Sequence, residues 1–155
     1  MLFIGIDPGK DGGISRIHSD GFTICGVYTD ESLIECCKDI KDYDMFCIVE
    51  NVHSMPMQGA QATFNFGKSF GYILGVLESF KIPYELVNPQ KWKKEFSCTS
   101  DKNTSIECAK RLFPNVNLYR TERCKKKHDG MAESLLMAEY GRRHYNGNKT
   151  GSKDS

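Results

Sequence analysis

The sequence predicts an α/β domain built on a mixed sheet flanked by helices, and three observations support this. Short apolar runs separated by turn residues open the chain at residues 2–7, 12–17 and 22–28. The continuous run Met45-Phe46-Cys47-Ile48-Val49 stops abruptly at Glu50. Segments of helical period dominate from residue 63 onward. The resulting order is β-β-β-α-β-α-β-α-α over residues 1–145, without an internal repeat.

The first run ends in Asp7-Pro8-Gly9, and Gly12-Gly13-Ile14-Ser15-Arg16-Ile17 resumes after a turn-rich stretch, as in two strands joined by a tight turn. Residues 22–28 follow Asp20-Gly21 and are rich in β-branched and aromatic types, which suits a third antiparallel strand. A short helix is expected over 32–40. The apolar run before Glu50 then suits a strand buried on both faces. Over 63–80, Phe66, Phe70, Ile73, Leu74, Leu77 and Phe80 recur at helical spacing, with Gly67, Gly71 and Gly75 one turn apart. Glycine costs about 1 kcal/mol per helix position relative to alanine, so this stripe is expected to pack tightly onto the sheet. Residues 84–87 read as a fifth strand. Asn88-Pro89-Gln90-Lys91-Trp92-Lys93-Lys94 leads from it to a helix over 101–113 that Ser100 or Asp101 can cap. Residues 114–127 are polar and basic, the last helix is expected over 127–145, and 146–155 form a tail expected to be disordered.

A length of 155 residues allows one domain with a real core. No apolar run approaches the roughly 20 residues that span a bilayer, so no membrane partner is expected. Asp7 interrupts the N-terminal run where a signal peptide needs apolar residues, so the protein is expected inside a cell. Seven cysteines, an odd number without a Cys-x-x-Cys pair, fit reduced, mostly buried thiols in a reducing compartment. Cys124 and His128 have metal-ligand spacing on a helix, but no second pair accompanies them and zinc is not expected. The net charge of +1 hides a split: residues 1–80 carry five Lys/Arg against eleven Asp/Glu, and residues 81–155 carry sixteen against nine. Positive charge on the later segments is the footprint of phosphate contact, although a solvated surface has the same composition.

Four acids stand in telling positions: Asp7 and Glu50 at the ends of apolar strands, Asp129 and Glu133 at the start of the last helix. A carboxylate ending a buried strand costs several kcal/mol unless it is paired or binds a metal. Asp129 and Glu133 are four apart and share a helix face. Carboxylates are hard ligands suited to Mg²⁺ or Mn²⁺, and two such ions can activate water and clamp a phosphate. Taken singly, Asp7 also suits a turn, and Asp129 with Glu133 suits a helix N-terminus stabilised by the dipole.

Together, Ile4-Gly5-Ile6-Asp7-Pro8-Gly9, Ile48-Val49-Glu50, Asn88-Pro89-Gln90-Lys91 and His128-Asp129-Gly130-Met131-Ala132-Glu133 resemble, in order, the RuvC family of Holliday junction resolvases, especially its short viral and phage-type members. The resemblance spans residues 2–145 and implies an RNase H-like fold with a mixed five-stranded sheet flanked by helices. It implies that Asp7, Glu50, Asp129 and Glu133 bind two Mg²⁺ ions, with Mn²⁺ able to substitute. It further implies a homodimer that resolves four-way junctions and other branched DNA with paired nicks. Lys91 and Lys102, eleven residues apart, fall where bacterial members place lysines near the scissile phosphate. Arg120, Arg123, Lys125, Lys126 and Lys127 precede the last helix and are further candidates for DNA contact.

Two departures stand out. Bacterial members space the last two ligands by three and end on aspartate, whereas mitochondrial relatives share the spacing of four found here. Bacterial members also carry a phenylalanine three residues after the second acid that works at the junction centre. His53 stands there in this chain, with Met55, Phe64 or Phe66 as substitutes, so the bacterial cleavage-sequence preference is not carried over. His128, beside the acids, is either a metal- or water-positioning residue or an exposed helix-start histidine.

Other classes fit less well. Gly5-x-Asp7-x-Gly9-Lys10 is similar to the first phosphate loop of actin-like sugar kinases, but those need two lobes. The glycine spacing of a P-loop is absent. A relative acting on flaps or RNA–DNA hybrids would carry the same four acids, whereas a non-catalytic DNA-binding module would have no reason to keep them all.

Overall fold

In a computed structural model of the chain, residues 1–53 and 59–145 are described. Strands β1 (Leu2–Asp7), β2 (Gly13–His18), β3 (Thr23–Val27), β4 (Met45–Glu50) and β5 (Tyr84–Val87) form one sheet in the order β3-β2-β1-β4-β5. The first three run antiparallel, β4 lies parallel to β1, and β5 lies parallel to β4. Helices α1 (Asp30–Lys38) and α2 (Ala60–Ser79) cover one face, and α3 (Pro89–Glu95), α4 (Lys102–Leu112) and α5 (Asp129–His144) cover the other. This is the mixed five-stranded sheet flanked by helices that the sequence predicts.

Side chains alternate across a strand, and here the alternation decides where the acids go. Leu2, Ile4, Ile6, Met45, Cys47 and Val49 join the core under α1 and α2. Phe3, Phe46 and Ile48 join the core under α4 and α5. Asp7 is in phase with Phe3, and Glu50 with Phe46 and Ile48, so both carboxylates belong to the α5 face. Register pairs Ile6 with Val49, so the two acids leave neighbouring parallel strands side by side.

Helix α5 is the central element of that face, and every residue from Gly130 to Gly141 is buried. It approaches the sheet closely enough that a Cβ on Gly5 would stand 2.0 Å from the Ser134 carbonyl oxygen, and one on Gly130 would stand 2.3 Å from the Asp11 carbonyl oxygen. The hydroxyls of Ser15 and Ser134 pair at 2.7 Å in the same contact, and both residues are fully buried. Backbone packing at Gly130 therefore sets Asp129 against the β1–β2 turn, where no side chain could tune the distance.

Three features differ from the sequence-based expectation. Residues 89–95 form a helix, α3: the Asn88 side chain accepts from the Gln90 N–H at 3.0 Å, and proline occupies the first turn, where its missing N–H costs nothing. The glycine stripe of α2 does not pack on the sheet. A Cβ at Gly67, Gly71 or Gly75 would meet nothing within 4 Å, because Ile73, Val76 and Leu77 on the opposite side of the helix make the core contact. Helix α1 begins two residues before the expected start, at Asp30, because Thr29 and Ser32 form a reciprocal capping box. The seven cysteines are free thiols, four of them buried. The predicted tail 146–155 and Met55 lie outside the described residues.

Candidate active site

Three elements deliver the four acids to one end of the sheet: β1 brings Asp7, β4 brings Glu50, and the first two turns of α5 bring Asp129 and Glu133. Glu50 and Glu133 are 8% and 6% exposed, which is rare for glutamate and demands partners. The indole N–H of Trp92 donates to Oε1 of Glu50 at 3.1 Å. Oε1 of Glu133 accepts from the Ser105 hydroxyl at 3.3 Å and faces the Lys93 ammonium at 3.0 Å. Lys102 pairs with Asp129. No hydrogen bond or ion pair holds the Asp7 carboxylate among the described residues.

The electrostatics follow from this crowding. Burial, then the neighbouring charges of Glu50 and Glu133, push the Asp7 carboxyl well above the ordinary aspartate range, with Lys102 opposing. Burial and Glu133 likewise raise Glu50, while the Trp92 hydrogen bond and Lys93 pull it back. At Asp129 burial also works upward, but the Lys102 bond, a backbone N–H and His128 outweigh it and hold the carboxyl low. Lys102 is raised in turn, chiefly by its bond to Asp129. The centre thus has four carboxylates against two lysines and is short of positive charge.

That shortage tests the fit to a metal. Hard oxygen donors around an uncompensated, partly buried carboxylate match the chemistry of Mg²⁺ or Mn²⁺. Among the described residues no three potential ligands stand close enough to enclose one ion. Instead, the lysine ammoniums lie on Glu133 and Asp129.

The lysines divide in an informative way. Lys102 reaches the acids. Lys91 does not: its ammonium is 3.5 Å from Glu85 and 5.9 Å from the centre of the Tyr140 ring. Lys93, two residues on and about 200° around the helix, points inward instead. His128 serves as the N-cap of α5, its Nδ1 accepting from the Met131 N–H at 3.2 Å. Arg120, Arg123, Lys125 and Lys126 are exposed on the loop entering α5, and the ammonium of Lys127 lies 5.1 Å from the Tyr119 ring centre. His53 and Phe64 are exposed and Phe66 is half-buried, none with a contact that assigns it a role at a junction.

Trp92, Lys93 and Ser105 went unnoticed in the sequence. The Asn88 cap and Pro89 could have revealed α3, and with it the inward phase of Trp92 and Lys93. Nothing in the sequence ties Ser105 to Glu133.

No protein-family model and no curated protein matches the sequence. Solved structures do resemble it. RuvC of Thermus thermophilus in complex with a Holliday junction substrate matches with a TM-score of 0.63 and 13% identity over 92% of this chain and 95% of that one. A second structure of Thermus thermophilus RuvC gives 0.57 and 14% over 92% and 96%. The yeast mitochondrial Holliday junction resolvase Ydc2 gives 0.50 and 14% over 87% and 75%. These likenesses cover nearly the whole described chain and establish that its fold is that of RuvC.

Proposed function

We propose that the protein is a divalent-metal-dependent endonuclease that resolves Holliday junctions and other branched DNA by paired hydrolytic nicks. The observation that carries this reading is the convergence of Asp7, Glu50, Asp129 and Glu133 at one end of a RuvC-type sheet, short of positive charge. Asp7, Glu50, Asp129 and Glu133 would hold two Mg²⁺ or Mn²⁺ ions. Such ions, when bound, supply an activated water and neutralise the phosphate. Lys102 and Lys93, which pair with Asp129 and Glu133, would meet a scissile phosphate and stabilise its developing charge, with Lys91 as a further phosphate contact. Arg120, Arg123, Lys125, Lys126 and Lys127 extend this surface along the DNA backbone. Paired nicks need two centres, and the open face of α2, with Phe64 and Tyr72 66% and 41% exposed, is the surface on which a second copy would dock.

The test is cleavage of a labelled four-way junction with Mg²⁺, Mn²⁺ or no metal, mapping nicks on all strands. Symmetric paired nicks are expected. Cutting confined to flaps or RNA–DNA hybrids would transfer the activity to another substrate. The variant Asp7→Asn is expected to abolish cleavage while still shifting the junction in a gel, because the basic surface is untouched; undiminished nicking would refute the four-carboxylate centre.

A further inference from the structure

Trp92 is fully buried and is the single tryptophan of the chain. Its indole N–H reaches Glu50 across 42 residues of sequence. Local structure explains how: Val87 is the sheet partner of Glu50, so α3, which starts two residues later, begins beside that glutamate and brings Trp92 back to it. An indole N–H donates and cannot accept, so it claims one of the two carboxylate oxygens of Glu50.

The same ring supports a second contact. The ammonium of Lys93 lies 5.2 Å from the centre of the Trp92 ring and pairs with Oε1 of Glu133. Ser105 donates to that same Oε1. Protein donors therefore gather on one oxygen of Glu50 and one of Glu133, and among the described residues no hydrogen bond claims the other. Two carboxylates from distant elements are tied together through one indole: Glu50 to its N–H, and Glu133 to its face by way of Lys93.

We propose that Trp92 is a positioning residue that orients Glu50 so that its other oxygen receives a divalent cation, and that links Glu50 to Glu133 through Lys93. The inference rests on the metal-dependent reading of the acid centre. It concerns how that centre is held rather than which groups bind.

Mn²⁺ binding to the full chain, followed by electron paramagnetic resonance without DNA, is the test. Trp92→Phe keeps an aromatic ring and removes the N–H. It is expected to bind Mn²⁺ about tenfold or more weakly, the usual consequence of losing an outer partner of a ligand. A merely structural role would lower the unfolding midpoint in EDTA and leave the Mn²⁺ affinity of the folded protein unchanged. In the wild-type protein, Mg²⁺ is expected to shift the emission of the single tryptophan in a saturable way, a readout that needs no variant. Equal Mn²⁺ affinity in Trp92→Phe and wild type, or emission indifferent to Mg²⁺ in a protein that binds Mn²⁺, overturns the role of Trp92 and leaves the metal-dependent reading standing. Absence of Mn²⁺ binding by the wild type overturns both.

Discussion

The two longest helices, α5 and α2, lie on opposite faces of the same sheet and use glycine to opposite ends. In α5, Gly130 and Gly141 leave no room for a methyl group, and Gly5 of β1 presses on the same helix from the sheet. In α2, Gly67, Gly71 and Gly75 face open space. Glycine in a helix is costly in both places. In α5 close backbone contact offsets the cost and, through it, fixes Asp129 and Glu133 beside Asp7. In α2 nothing among the described residues does so. One face is closed by the fold, and the other stays open among the described residues.

Filling the tight face should have the largest effect. Gly5→Ala drives a methyl group into the Ser134 carbonyl and should cost roughly 3 kcal/mol in denaturant unfolding, with cleavage lost because α5 carries two of the acids. A variant as stable as the wild type would mean that α5 sits further from β1 than described.

A smaller effect concerns the charge that α5 helps to bury. The Asp7 carboxyl is raised in the folded protein, so the native state binds more protons than the unfolded chain once pH exceeds the ordinary aspartate value of 3.8. In EDTA, stability should therefore fall as pH rises through that window, with Glu50 adding in the same direction from its ordinary 4.5. Asp7→Asn should flatten the profile and gain roughly 1 kcal/mol at neutral pH, as removal of an unpaired functional carboxylate often does. Excess Mg²⁺ should reverse the fall in the wild type alone. Melting temperatures across pH, with and without metal, measure all three.

On the open face, Gly71→Ala should stabilise the isolated chain by about 1 kcal/mol, since the added methyl meets nothing and helix propensity rises. If a second copy docks there, the same change should weaken self-association. Light scattering at micromolar concentration separates the two effects, and a strictly monomeric wild type would remove the dimer from the proposal.

The abrupt ends of apolar runs mark Asp7 and Glu50, and helical spacing puts Asp129 and Glu133 on one face, because these signals are local. Periodicity says which residues share a face but not which way the face points, so the stripe on α2 was expected inward. The phase of α3 was missed because a seven-residue helix holding Lys91, Lys93 and Lys94 has too little apolar pattern to register. Lys93, which that phase turns toward Glu133, is therefore legible only in the structure. The bonds of Trp92 to Glu50 and of Ser105 to Glu133 join residues 42 and 28 apart, and no local pattern encodes such pairings.

The position of α5 along the chain has a consequence for synthesis. The sheet strands that carry Asp7 and Glu50 are made early, but the helix that covers them and supplies Asp129 and Glu133 is the last described element. Closing that contact spans more than a hundred residues, as the Ser15–Ser134 pair illustrates, and such distant pairings form late. A growing chain on the ribosome therefore exposes an apolar sheet face, and its four acids do not come together until α5 emerges.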